Sequence, residues 1–117
     1  MTVFYVALGG ALGAVLRYFA ALSFSFPYAT LFVNVLGSLA MGVAFAVLSQ
    51  KGLDRWMPFV MTGLLGGFTT YSAFSLDAVR LFEAGQLGGA MAYVLGTVLL
   101  CVLACFAGIA MGKGFIG

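Results

Sequence analysis

Four apolar segments, at residues 3–22, 28–48, 56–82 and 87–111, occupy nearly all of this 117-residue chain. Each is long enough for a membrane-crossing helix, which needs roughly 20 residues. The chain is 64% hydrophobic and 7% charged, and a soluble domain of this size cannot bury so much apolar surface. We therefore expect an all-α integral membrane protein, in which four transmembrane helices form a single domain over residues 1–117.

The third segment contains a break signal. Gly66-Gly67 is followed there by Thr69-Thr70. Adjacent glycines weaken a helix, and threonine hydroxyls offer the backbone other hydrogen bonds. A helix broken at membrane depth needs protein or a polar cavity around its freed backbone groups, and such breaks commonly form ion or substrate sites. The pattern predicts a third helix broken at mid-membrane beside an ion site, with a glycine-rich packing kink as the alternative.

Reactive side chains are scarce. The chain has no histidine and three acidic residues, so acid–base catalysis and metal binding by side chains have little material, and we do not expect an enzyme. Cys101 and Cys105 lie in one apolar segment, which does not imply a disulfide framework. A net charge of +2 is too small to indicate a nucleic-acid partner.

Small and polar residues mark the first two segments. Gly9 and Gly13 form a small-xxx-small pair that allows another helix to approach closely. Arg17 is either an anchor at the membrane interface or a positive charge at the mouth of an anion path. Asn34 and Ser38 share one helix face. Asn34 is either a hydrogen-bonding contact between helices or an amide donor that lines a pore.

Polar residues of the second half follow helical spacing. Three charged residues come after the break at i, i+3 and i+6, and we expect them near the interface, paired locally: Asp77, Arg80 and Glu83. One stripe recurs at every fourth residue of the last segment: Tyr93, Thr97, Cys101 and Cys105. Ordinary packing is the alternative interpretation of this stripe, because cysteine behaves as a small apolar residue.

The basic residues give almost no orientation signal. With four spans, Lys51, Arg55 and Lys113 fall on one side, and Arg17 and Arg80 on the other. An excess of Lys and Arg on the cytoplasmic side normally fixes the orientation. Three basic residues against two predict a chain that inserts in both orientations. Four small helices also enclose so little space that a pathway needs a second copy of the chain.

Three motifs resemble the Fluc/CrcB family of small fluoride channels in order and spacing: GGALGAVLRY at 9–18, ATLFVNVLG at 29–37 and GLLGGFTTYSAFS at 63–75. The resemblance implies an antiparallel, dual-topology homodimer in the bacterial inner membrane that exports fluoride passively and gives fluoride resistance. It also implies a structural sodium ion at the dimer centre, held by the backbone carbonyls of Gly66 and Thr69 from both subunits.

The resemblance also assigns pore residues. Asn34 becomes a donor to fluoride, Arg17 the vestibule charge, and Ser72 a hydroxyl near the path. The family's pair of pore phenylalanines falls on Tyr71 and Phe74, whose positive ring edges attract an anion.

The family's polar track in the last segment falls on Thr97, Cys101 and Cys105. Tyr71 and the two cysteines depart from the family pattern, since thiols are weaker donors than hydroxyls. These departures keep open a non-conducting or heterodimer partner subunit as an alternative. A small multidrug-resistance transporter is the other rival. It needs a carboxylate embedded in the membrane, whereas the first acidic residue here, Asp54, falls in a loop.

Overall fold

The computed structural model describes the fold of residues 1–116 and the side-chain surroundings of residues 1–114. Gly117, the end of the predicted domain, lies outside the described residues. The first two helices are α1 (Thr2–Ser23) and α2 (Tyr28–Gln50). A 3₁₀ turn (Asp54–Trp56) and a π-helix (Pro58–Leu65) lead into α3 (Gly66–Phe68). After a break come α4 (Tyr71–Glu83) and α5 (Leu87–Ile116).

The helices α1, α2 and α5 are each long and apolar enough to cross a membrane. Their large apolar side chains point mostly outward, as Phe4, Phe19 and Phe106 do. Such a surface suits lipid, which is as apolar as the side chains it contacts. The chain is a multi-pass membrane protein. Where the bilayer begins and ends along each helix stays a prediction.

Glycines bring α1 into backbone contact with the first half of the third segment. A Cβ atom placed on Gly9 would lie 2.6 Å from the carbonyl oxygen of Phe59, and one on Gly67 would lie 2.6 Å from that of Gly10. No side chain fits such gaps. The predicted small-xxx-small pair of Gly9 and Gly13 thus packs against the π-helix and α3, because close helix approach requires residues without side chains.

A second glycine contact joins α2 to α5. A Cβ atom on Gly42 would lie 2.8 Å from the amide nitrogen of Ile109, and one on Gly108 would lie 3.0 Å from that of Val43. The paired positions advance together along both helices, so α2 and α5 run parallel. They form the most extensive helix pair of the fold and place one long face of each beside the break.

The break lies at the two threonines of the predicted signal, two residues beyond its glycines. Gly66 and Gly67 are helical, whereas Thr69 (ψ 158°) and Thr70 (ψ 115°) are extended. Gly67 serves close packing against Gly10, and the two threonines interrupt the helix. The π-helix before them was not predicted; its hydrogen bonds span five residues, and such wide turns are frequent near functional sites.

Candidate functional site

A groove of about 400 Å³ runs beside the break, between α2, α5 and the start of α4. Its wall contains most of the side chains predicted for a pore: Asn34, Tyr71, Phe74 and Thr97. Ser38, Thr69 and Thr70 add hydroxyl groups to the same wall. The parallel packing of α2 and α5 explains this gathering, because it aligns the polar face of each helix along one line.

Asn34 joins α2 to the break through both ends of its amide. Its Oδ1 accepts a hydrogen bond from the amide of Thr70 at 2.8 Å, and its Nδ2 donates to the carbonyl of Thr70 at 3.0 Å. The backbone donor and acceptor of Thr70 fix which end of the side-chain amide is oxygen. One N–H of Nδ2 remains for another acceptor, so Asn34 can both hold the break and face the groove.

Two side-chain contacts at the break release two backbone carbonyls from helical pairing. In a continuous helix the amide of Thr70 would donate to the carbonyl of Gly66, but it donates to Asn34. The amide of Ala73 donates to the hydroxyl of Thr70 at 3.1 Å, which leaves the carbonyl of Thr69 without that donor. Carbonyl oxygens are typical ligands of hard cations. The predicted sodium ligands therefore have the right chemistry for that role.

Tyr71 and Phe74 stand at the start of α4 with their rings edge to face, 5.7 Å between centroids and 76° between planes. Their surroundings differ. Phe74 is 9% exposed and meets the ring of Tyr93 at 5.4 Å, whereas Tyr71 is 81% exposed. Both rings line the groove. Packing within the chain therefore fixes Phe74 and leaves Tyr71 for contact with lipid or a second subunit.

Thr97 is the most enclosed polar side chain of the groove. It is 5% exposed, and its Oγ1 has no hydrogen-bond partner among the described residues. Leaving a buried hydroxyl unpaired costs about 1–3 kcal/mol, so such a group calls for an explanation by function or by bound water. Its proton is available to an acceptor in the groove.

Two predicted site residues lie outside the groove wall. The half-buried Arg17 reaches the break from α1, and its Nε donates to the carbonyl of Gly67 at 3.1 Å. This cation sits near the last carbonyls of the helical run before the break, which the helix dipole favours. Ser72 is exposed on α4, with its Oγ 3.3 Å from the hydroxyl of Thr70.

The acidic side chain of Asp77, expected near the interface with its charged neighbours, is buried close to the groove. Asp77 is 7% exposed, and the hydroxyl of Tyr93 donates to its Oδ2 at 3.4 Å. Asp77 and Thr30 also line a small polar cavity of about 160 Å³. The signal was present in the sequence: Asp77 follows Phe74 by three residues and therefore shares its helix face.

The expected local pairing of the charges after the break is present as one long contact, between Asp77 and Arg80. Nη1 of Arg80 lies 4.0 Å from Oδ1 of Asp77. The guanidinium instead covers the ring of Phe26, 4.1 Å from its centroid, a cation–π contact. Arg80 is therefore shared between the carboxylate of Asp77 and the ring of Phe26.

Residues 4–109 match the family model described as CrcB-like protein, Camphor Resistance (CrcB). The chain belongs to the CrcB family. This membership confirms the resemblance seen in the three sequence motifs, and it extends to α5, which those motifs did not reach.

Relatives in the CrcB family align along nearly their whole length. A protein of Cereibacter sphaeroides (strain ATCC 17029 / ATH 2.4.9) is 52% identical over 117 residues, which cover 95% of this chain and 94% of its own. One from Paracoccus denitrificans (strain Pd 1222) is 48% identical over 118 residues, covering 97% and 95%. One from Ruegeria sp. (strain TM1040) is 45% identical over 123 residues, covering 99% and 98%. Each is named fluoride-specific ion channel FluC.

Proposed function

We propose that this chain is a fluoride-selective channel that lets fluoride leave the cytoplasm passively across the bacterial inner membrane and so gives fluoride resistance. The observation that carries this proposal is the near-full-length similarity to proteins named fluoride-specific ion channels. A channel also agrees with the chemistry of the groove, which offers uncharged donors and aromatic rings. We assign the chain no enzymatic activity.

The proposed path follows the groove. Asn34 and Thr97 donate hydrogen bonds to the ion, since each has a donor left over after its contacts within the chain. The ring edges of Tyr71 and Phe74 attract the anion between these donors. Neutral donors suit passage better than a fixed cation, because binding must be weak enough for the ion to leave. Arg17 and Ser72 act at the approach to the path.

We further propose that two copies complete the path as an antiparallel homodimer, with the break at mid-membrane. The groove is open along one side, and Tyr71 at its edge is 81% exposed. A second copy would supply the missing wall. The three-against-two distribution of basic residues supports insertion in both orientations.

A structural sodium ion belongs to the same proposal. The released carbonyls of Gly66 and Thr69, from both subunits, would hold it, since a hard cation accepts backbone oxygens without any acidic side chain. The ion would join the two breaks and stabilise the dimer. The exposed Gly66 is where a second chain can approach without obstruction.

Ion efflux from liposomes tests the proposal. Liposomes loaded with potassium fluoride should empty when they contain the purified chain and an ionophore balances the charge, whereas chloride-loaded liposomes should retain their ion. Equal release of both anions contradicts selectivity.

Cys101 and Cys105, at positions where hydroxyls are expected, favour a second candidate, a partner subunit of a heterodimeric channel. That candidate predicts no release by the pure chain and release only with a second CrcB-family chain.

A further inference from the structure

Three sulfur side chains gather in the groove. Cys101 and Cys105 come from α5 and Met41 from α2, and all three line the wall. The two cysteines are half-buried free thiols, and they are the chain's only cysteines. Ser38 and Thr97 beside them carry hydroxyls. One part of the groove therefore offers soft ligands, in a wall that is otherwise mostly apolar with a few hydroxyl and amide groups.

Helix spacing places the two thiols of α5 within reach of one ion. Residues i and i+4 of a helix have Cβ atoms about 5–6 Å apart, and a bond from thiolate to metal is about 2.3 Å. Two such bonds therefore span Cys101 and Cys105. A Cβ atom placed on Gly42 would meet the backbone carbonyl of Cys105, and Met41 precedes Gly42 on α2. Met41 lines the same groove as the two thiols, so its thioether is the candidate third ligand.

We propose that Cys101, Cys105 and Met41 form a binding site for a soft monovalent metal ion, of the class of Ag⁺ or Cu⁺. Thiolate and thioether ligands select such ions, whereas carboxylate, carbonyl and water oxygens select hard ones. Each thiol that binds the ion releases its proton and forms a sulfur–metal bond. The site is separate from the carbonyls of Gly66 and Thr69, which present only oxygen.

A bound ion would fill part of the groove. If the groove carries fluoride, occupancy of the sulfur site blocks passage. This consequence rests on the proposed function. Metal binding itself does not, because it depends only on the three side chains. The two claims therefore need separate measurements.

Binding is measured by native mass spectrometry of the full-length protein with silver nitrate in chloride-free buffer. We expect one silver ion per chain and none of the hard ion Mg²⁺. Cys101→Ser or Cys105→Ser should each weaken silver binding at least about tenfold, a loss that even indirect metal-site partners can produce. The double variant should abolish it. Met41→Leu should weaken binding, whereas Met91→Leu, at an exposed position of α5, is the matched control.

Fluoride efflux is then followed with and without silver, and each variant is compared with its own silver-free rate. Silver should inhibit the parent chain and spare the double cysteine variant. Parent-like silver binding by the double variant, or equal effects of Met41→Leu and Met91→Leu, overturns the site. Binding of one silver ion per chain without inhibition of efflux overturns the proposed block of fluoride passage and leaves the metal site standing. A parent chain that binds one silver ion but releases no fluoride supports the site and contradicts the proposed function.

Discussion

Asn34 forms hydrogen bonds with both the amide and the carbonyl of Thr70, a residue 36 positions later in the chain. It takes the place of the partners that these backbone groups would have in a continuous helix. A side chain of α2 thus performs the hydrogen bonding that the third segment gives up at its break. The break is stable in the folded chain for this reason, since a backbone group left unpaired away from water costs about 1–3 kcal/mol.

Asn34→Leu should therefore destabilise the fold as well as stop conduction. It leaves two backbone groups of Thr70 without partners, at about 1–3 kcal/mol each. We expect a lower midpoint of thermal unfolding in detergent and no fluoride efflux. Ser38→Ala, one turn further along the same face, is the control and should unfold near the parent temperature. Parent-like unfolding of Asn34→Leu would show that another group supports the break.

Gly66 and Gly67 should respond differently to substitution although they are adjacent. A Cβ atom on Gly67 would lie 2.6 Å from the carbonyl oxygen of Gly10, whereas one on Gly66 meets only the carbonyl oxygen of Met61, at 3.4 Å. Gly67→Ala should lower the yield of folded protein. Gly66→Leu has room within one chain, so its damage should appear as loss of the dimer in cross-linking or mass measurements. A conducting Gly66→Leu dimer contradicts a tightly packed ion site at the break.

Thr69→Ser should be mild and Thr69→Val harmful. The hydroxyl of Thr69 donates to the carbonyl of Leu65 at 3.0 Å, beside the bond from its own amide at 3.0 Å. Serine keeps that donor and the backbone path, while valine has nearly the same shape without the donor. The readouts are dimer stability in sodium against potassium buffer and fluoride efflux. If Thr69→Val retains the parent's sodium dependence, the hydroxyl does not shape the carbonyl site.

Phe74→Ile should fold and dimerise but lose most of its conductance. Isoleucine fills a similar volume, and volume-conserving swaps are usually tolerated, yet it lacks the positive ring edge. Losing about 1.4 kcal/mol of barrier stabilisation slows passage about tenfold. Leu76→Ile, exposed on the same helix, is the control. A folded Phe74→Ile channel with the parent rate would leave the ring as packing.

Tyr71→Phe should stay active, because it restores the residue usual in the CrcB family and keeps the ring edge. The side chain is 81% exposed, so the change removes little packing within one chain. Fluoride efflux at a rate close to that of the parent is the expected result. Loss of efflux in a folded dimer would show that this chain depends on the phenol hydroxyl.

Both orientations should occur in one membrane. After Cys101→Ser and Cys105→Ser remove the native thiols, Gly114→Cys provides a single label site at an exposed position. A reagent confined to one side should modify about half the molecules, as expected without a charge preference. Modification of nearly all or nearly none would contradict dual topology. Extra lysines beside Lys51 should fix one orientation and abolish homodimer activity.

The sequence was informative where a signal is local and periodic. The apolar segments predicted the helices, and the four-residue spacing of Tyr93, Thr97 and the cysteines predicted one helix face. Contacts between distant residues were less accessible. Gly66-Gly67 and Thr69-Thr70 together predicted the break, but only the two threonines leave the helix, because Asn34 pairs with the backbone there. The helix face that Asp77 shares with Phe74 indicates burial, but the partner Tyr93 lies 16 residues further along the chain, and no local pattern predicts that partner.

The π-helix at Pro58–Leu65 fixes the rotation of everything that follows it in the third segment. Its turns contain more residues than the 3.6 of an α-helix, so the segment holds a rotation that an α-helix of the same length would not have. Each residue gained or lost rotates everything beyond it by about 100°. Gly67 would then leave Gly10, and Thr70 would leave Asn34. The wide turns therefore set the angle about the helix axis at which the break faces the rest of the protein.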